Sequence, residues 1–435
     1  MALFSQSALN PGVRKREVFG WAMYDFANSA FTTVVITAVF AAYFTGSIAQ
    51  RAPWATFAWT AALSLSSLIV MLSMPALGAW ADARAAKKRL LIFTTAGCVL
   101  ATAALALTGP GTVVLAVLLI VLANTFYAWG ESLAASFLPE LARPEALGKV
   151  SGWGWSFGYI GGMLALGLCL AYVLSAQARG QSAAEFVPIT MLVTAVFYGA
   201  SACATFALLQ ERAAPAQTAP AGGLGASLRQ LRQTFVQARQ YRDLMWLLAS
   251  TVSYQGGVAA TIALAAIYAE QVIGFAQQET MVLIFALNLA AAIGAFVFGY
   301  GQDRIGHRLA LALTLVGWII TCVLAALATT KTDFWYAAAL AGLCMGSSQS
   351  AGRAMVGLLA PARQLAEFYG LWTFAVRLAS IIGPLSFGTI AWLSGGDQRL
   401  AILSTAVLFV MGLLLLWPLD MARGQAAANA PTAAT

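Results

Sequence analysis

Gly299, Tyr300, Gly301, Gln302, Asp303, Arg304, Ile305, Gly306, His307 and Arg308 run between two long apolar stretches. A looser copy stands 221 residues upstream: Gly78, Ala79, Trp80, Ala81, Asp82, Ala83 and Arg84, followed by Lys87, Lys88 and Arg89. Each copy combines a glycine that permits a tight turn, an aspartate able to cap a neighbouring helix N-terminus, and basic residues held at lipid phosphates. Gly78, Asp82, Gly299, Asp303 and Arg304 are therefore candidate gating residues. For Lys87, Lys88, Arg89 and Arg308, plain anchoring of a loop on the positive side of a membrane accounts for the charge equally well.

The repetition extends over the chain. An offset of 222 superposes Gly130 on Gly352, Pro139 on Pro361, Gly148 on Gly370 and Gly161 on Gly383. The chain has 435 residues, 60% of them hydrophobic and 9% charged, against about 25% charged in a soluble domain. Its solvent is lipid, where the backbone must close on itself as helix or barrel; the apolar runs are long and unbroken, so they are helices. Runs of roughly 20 residues fall at 18–48, 54–81, 90–108, 111–138, 148–175 and 186–210, then at 243–269, 276–302, 308–329, 334–359, 368–394 and 399–419. The expectation is an all-α membrane protein: twelve transmembrane helices in two pseudo-symmetric six-helix halves, 18–210 and 243–420. An N-terminal arm (1–17), a linker (211–242) with a short amphipathic helix near its end, and a disordered tail (421–435) complete the chain.

The formal charge of +8 comes from 24 basic residues, eighteen of which fall in the arm, alternate loops, linker and tail. That bias puts both termini in the cytoplasm and argues against a nucleic-acid partner. The five cysteines lie inside apolar runs without pairing or metal-ligand spacing and are expected as packing residues. The first run is too long for a secretory core and should stay as the first helix. With no phosphate-binding loop, metal cluster or nucleophile–base pair, neither an enzyme nor a cofactor is expected.

The paired loops resemble the signature of the major facilitator superfamily. A narrower resemblance begins at Trp21, Ala22, Met23, Tyr24, Asp25, Phe26, Ala27, Asn28, Ser29, Ala30 and Phe31, which is similar to the opening of the vacuole-effluxer-like branch. It continues in Phe137 to Leu141, Gly148 to Gly152, Gly154 to Gly162, Gln349 and Ser350 with Arg353, Pro361, Glu367 to Gly370, and Gly383 with Pro384. The resemblance covers most of the chain outside the linker and the tail beyond Arg423. It implies export of amino acids or similar small metabolites by alternating access, in the inner membrane of a bacterium. Two positions depart from the pattern: His307 stands where Arg or Lys is usual, and Arg377 where Lys or a neutral residue is expected.

Ionisable side chains inside a bilayer cost a few kcal/mol or more and mark wet cavities or partners. Asp25, Glu131, Arg353 and Arg377 lie inside the spans, about eight residues (~12 Å) from the cytoplasmic ends. Glu131 and Arg353 are repeat mates, so they are expected to face each other as a switchable pair, with Asp25 or Glu131 taking a proton. A permanent structural pair is the rival reading. Asn28, Asn124, Tyr127, Gln255, Asn288 and Gln349 could address a polar substrate, although Asn and Gln also bridge membrane helices. Trp129, Trp153, Trp155 and Trp372 read as interface anchors or cavity lining. Gly154, Gly158 and Gly162 make a bare helix face for close packing, and Gly383-Pro384 reads as a flexible point or a static kink. His307 is expected as a solvated substitute for arginine.

The partners expected are a small-molecule substrate, the lipid bilayer and protons, and a monomer is expected. A proton-linked multidrug exporter and a non-transporting receptor or scaffold are the competing functions.

Overall fold

Backbone polar groups in hydrocarbon have to be satisfied within their own segment, and each apolar run accordingly closes as a helix. The computed structural model describes residues 4–212, 236, 238–395 and 397–430. The first half contains α1 (Lys15–Ile48), α2 (Ala55–Arg84), α3 (Lys87–Ala104), α4 (Val113–Ala135), α5 (Leu147–Ala178) and α6 (Ala183–Leu208). The second contains α7 (Arg242–Tyr268), α8 (Gln277–Ile305), α9 (His307–Leu327), α10 (Lys331–Leu359), α11 (Leu365–Leu393) and α12 (Gln398–Leu416). Over the described residues, ten of these meet the length and hydropathy of a membrane span. The other two are α7 and α10; α10 buries Ser347, Ser348, Ser350 and Arg353, which a helix enclosed by protein tolerates and a lipid-facing one does not. Leu118, Leu122, Val196, Leu313, Leu327, Val407 and Leu414 are exposed and form part of the apolar coat.

The repeat seen in the sequence is a repeat of contacts. Gly161 on α5 lies against the backbone of Phe26 on α1, and its mate Gly383 on α11 lies against the backbone of Gly256 on α7. Gly130 likewise faces the Tyr24 hydroxyl, and Gly352 the Tyr254 hydroxyl. The α1-to-α7 offset is thus 230, which makes Asp25 the counterpart of Gln255. α11 runs on through Pro384, and the glycine ridge of α5 seats α1: a methyl at Gly158 would sit 3.0 Å from Ser29 Oγ, and one at Gly162 2.6 Å from Thr33 Oγ1.

With an even number of spans, both termini lie on one face. The N-terminal arm is held there against the α4–α5 loop: Asn10 Nδ2 donates to the carbonyls of Pro139 (2.9 Å) and Glu140 (3.1 Å), and Arg143 Nε donates to that of Leu9 (2.9 Å). Lys87, whose charge suited a lipid anchor and a working loop equally, is fully buried, paired with Glu140 and set over the Phe137 ring. Glu211, which begins the linker, accepts the backbone N–H groups of Lys87 (2.7 Å) and Lys88 (3.1 Å). These neighbours supply partners that the lipid phosphates would otherwise provide. The rest of the linker, including the expected amphipathic helix, lies almost wholly outside the described residues.

The tail departs from expectation as well. Met421–Asn429 is a helix, α13, capped by Asp420. Arg423 clamps Asp243 at the start of α7 through two contacts of 2.8 and 2.6 Å. A carboxylate at a helix N-terminus that also holds a guanidinium fork gives this segment a reason to fold.

Candidate functional site

Two carboxylates join the halves at the termini face. Asp303 at the end of α8 accepts the backbone N–H groups of Gly148 and Lys149, each at 2.9 Å, where α5 begins. Asp82 at the end of α2 accepts that of Glu367 at 3.0 Å, where α11 begins. The first turn of a helix leaves N–H groups without intrahelical partners, and a carboxylate placed there satisfies them and meets the positive end of the dipole. The glycines make this approach possible, since Gly78 lies against the backbone of Ala366, and a methyl on Gly299 would come 3.1 Å from the Gly148 carbonyl oxygen. Arg304 is exposed and stands apart from the clasp. His307, expected in solvent, is buried at the start of α9 with Nε2 3.8 Å from Asp303.

Deeper in, the four intramembrane charges form two pairs, and they are not the pairs the repeat implied. Glu131 does not face its mate Arg353. Arg353 reaches from α10 to α1 and α5 of the other half, donating to Asp25 (2.6 Å), to Ser151 Oγ (3.1 Å) and to the Ser151 carbonyl (2.8 Å). The rings of Trp21 and Trp155 flank its guanidinium at 4.8 and 5.2 Å. Glu131 on α4 meets Arg377 on α11 at 3.3 Å, with the Tyr127 hydroxyl beside it. The physical reason is that α1 presents Asp25 where α7 presents the neutral Gln255, so the long Arg353 side chain is drawn across to α1 and Glu131 is left to α11.

The pairs differ in access. Side-chain exposure is 4% and 12% for Arg353 and Asp25, against 15% and 33% for Arg377 and Glu131. Along α10, Arg353 is buried while Gln349 and Met345, one and two turns farther from the termini face, are partly exposed. Ser380, one turn beyond Arg377 on α11, is exposed. The hydrogen bonds that join described residues of the two halves run inward from the clasps as far as Ser156 Oγ to the Ala292 carbonyl, at 2.9 Å. A site closed towards the termini and reachable from the far side fits this gradient.

Of the other candidates, Gln255 donates to Gln349 at 2.7 Å within the second half, and Asn28 is buried one turn from Asp25. Asn124 donates to Ser66 at 2.5 Å and Asn288 to its own helix at Ile284, so these two support helices. The tryptophans are not interface anchors. Trp153 is buried and donates to the Tyr300 hydroxyl of the other half at 3.2 Å, Trp129 donates to Ser73 at 2.9 Å, Trp155 stacks on Arg353, and Trp372 is buried. Ser151 and Trp21 were missed as site residues. Trp21 lies four residues before Asp25 and so on the same helix face, a spacing that could have found it; Ser151 stands inside a matched motif without any polar pattern of its own.

Residues 55–429 match the family model described as vacuole effluxer Atg22 like. The chain belongs to that family. An uncharacterized MFS-type transporter, YxiO of Bacillus subtilis, is 28% identical over 401 residues, covering 91% of this chain and 93% of that protein. Autophagy-related protein 22-1 of Aspergillus fumigatus is 24% identical over 302 residues, 64% of this chain and 49% of that protein. Among solved structures, the human organic anion transporter MFSD10 superposes with a TM-score of 0.72 at 16% identity, covering 92% of this chain and 99% of that one. The proton:xylose symporter XylE gives 0.69 at 12% identity, covering 93% and 94%. This family member therefore has the major facilitator fold of twelve helices, is a multi-pass membrane protein, and is a transporter of that superfamily.

Proposed function

We propose that the chain exports amino acids or similar small polar metabolites by alternating access, with Glu131 as the proton-carrying group of a cavity-facing pair. The observation that carries this is the unequal access of two ion pairs at the boundary between the halves: one is sealed, and one is partly exposed. In this reading the termini face the cytoplasm of a bacterium, the bilayer is its inner membrane, and the conformation is outward-facing. Asp25, Ser151 and Arg353, with the clasps of Asp82 and Asp303 below them, form the closed inner gate. Glu131, Tyr127, Arg377, Gln255 and Gln349 line the substrate and coupling region. The description of the family as a vacuole effluxer supports an export role, and the bacterial relative supports a plasma-membrane location. A monomer suffices, because both halves of the gate come from one chain.

Counterflow of labelled amino acids and dyes in proteoliposomes, with and without a proton gradient, tests the reading. Saturable amino-acid exchange that depends on Glu131 supports it. Exchange of dyes alone turns the assignment to multidrug export, for which the partly exposed Trp155–Tyr159 ring pair would be the relevant wall. Silence for every solute leaves a receptor or scaffold.

A further inference from the structure

We propose that Arg377 reads a carboxylate on the transported solute, and that Glu131 is the internal anion which the solute displaces. The proposal rests on the transport reading above and names the chemistry that its site selects.

The two intramembrane arginines differ in how fully the protein uses them. A guanidinium carries five N–H donors in a planar fork. Arg353 directs Nε, Nη1 and Nη2 to three separate oxygens and has an indole on either face. All three of its nitrogens and both of its faces are engaged within the protein. Arg377 makes one contact, from Nη2 to Glu131 Oε2 at 3.3 Å, and its Nε is buried with no partner. A buried donor without an acceptor is costly, more so on a charged group inside a membrane.

The idle Nε and the weakly held Nη2 form one edge of the fork. That edge fits the two oxygens of a carboxylate side by side, with two parallel charge-assisted bonds in place of a single long one. Ser380, one turn farther out on α11, is exposed, and Arg377 and Glu131 are themselves partly exposed. The carboxylate of Glu131 stays nearby when displaced, so a second negative charge on the solute is repelled. The site therefore selects a monocarboxylate over a dianion or an uncharged amide. Glu131, once released, is free to meet a cationic group on the same solute.

The bland alternative is that Arg377 only neutralises Glu131. Discrimination between an acid and its amide separates the two, because a structural pair has no reason to sense it. The test uses the full chain in proteoliposomes, with labelled leucine counterflow competed by leucine, leucinamide, lactate and lactamide. Thermal stabilisation of the purified chain by the same four solutes is read in parallel. Lactate distinguishes a carboxylate alone from one carried by an amino acid.

In the wild type, acids are expected to outcompete or out-stabilise their amides by about tenfold or more, the scale of one bidentate charge-assisted contact. Arg377→Gln should bring the ratio to within about twofold, through KM more than kcat. Arg377→Lys should keep part of the preference, and Glu131→Gln should keep all of it with tighter binding of acids. A wild type without preference for acids in either assay overturns the assignment, as does a preference that survives in Arg377→Gln. Acid-selective stabilisation without exchange of any solute upholds the assignment and sinks the transport reading instead.

Discussion

The Asp25–Arg353 pair and the Glu131–Arg377 pair each set one acid from the first half against one arginine from the second, at the same boundary, and they are built to different ends. The first is short, sealed from solvent, and completed by a serine and two indoles. The second is long, half-open, and leaves a donor unused. In a membrane interior, a charge that the protein fully satisfies is a lock. A charge left partly satisfied where solute can reach it is a binding site in waiting. The difference lies in the second layer of contacts, since the charges themselves are the same chemistry.

The comparison breaks first at the sealed pair. Asp25→Asn removes the charge that balances Arg353 while leaving the guanidinium buried, the situation that costs about 3–5 kcal/mol in buried pairs. Thermal unfolding of the purified chain should show a large loss for Asp25→Asn, and most of it should return in Asp25→Leu combined with Arg353→Leu, where no charge is left buried. A double variant as unstable as the single one would mean that Trp21, Trp155 and Ser151, rather than the ion pair, hold this region.

Much of this comparison was legible in the sequence, and the part that was not has an identifiable cause. Asp25, Glu131, Arg353 and Arg377 stand out because a charge in an apolar run is visible one residue at a time. The clasps of Asp82 and Asp303 were legible because their glycines and aspartates recur at a fixed offset. Which acid meets which base was not, because the repeat predicts mates across an axis. The actual partners are set by where the repeat is broken: Asp25 opposite Gln255, and Arg377 opposite Trp155. The place of Lys87 and the fold of α13 were not legible for a related reason. Their partners Glu140, Glu211 and Asp243 are distant in sequence, and composition alone gives a lysine no address and an alanine-rich tail no fold.

The clasps come next in size. Asp303→Ala removes the acceptor of the Gly148 and Lys149 N–H groups and Asp82→Ala that of the Ala366 and Glu367 N–H groups, so each should weaken the closed termini face to a similar degree, in the range of about 0.5–2 kcal/mol for lost caps. Spin labels at the exposed Arg84 and Arg363 report the separation of the halves at that face. The long-distance population should grow from wild type to either single variant, and further when both are combined. An unchanged distribution in both variants would place closure in the deeper Asp25–Arg353 pair alone.

The smallest effect on stability is expected at the open pair, and it is the one that sharpens the comparison most. Glu131 is one-third exposed and holds Arg377 by a single contact, so Glu131→Gln should cost less in unfolding than Asp25→Asn, which strips a shorter and better-sealed pair. Its effect on transport should be of a different kind. Exchange of solute between two filled compartments should persist, since Arg377 and the amide pair of Gln255 and Gln349 remain, while net movement driven by a proton gradient should fall to the level seen without one. Asp25→Asn cannot give that split, because a gate that fails to close loses exchange and driven movement together. A Glu131→Gln variant that still follows the gradient would move the proton to Asp25 and make the sealed pair the coupling element, reversing the roles that burial and hydrogen bonding assign to the two.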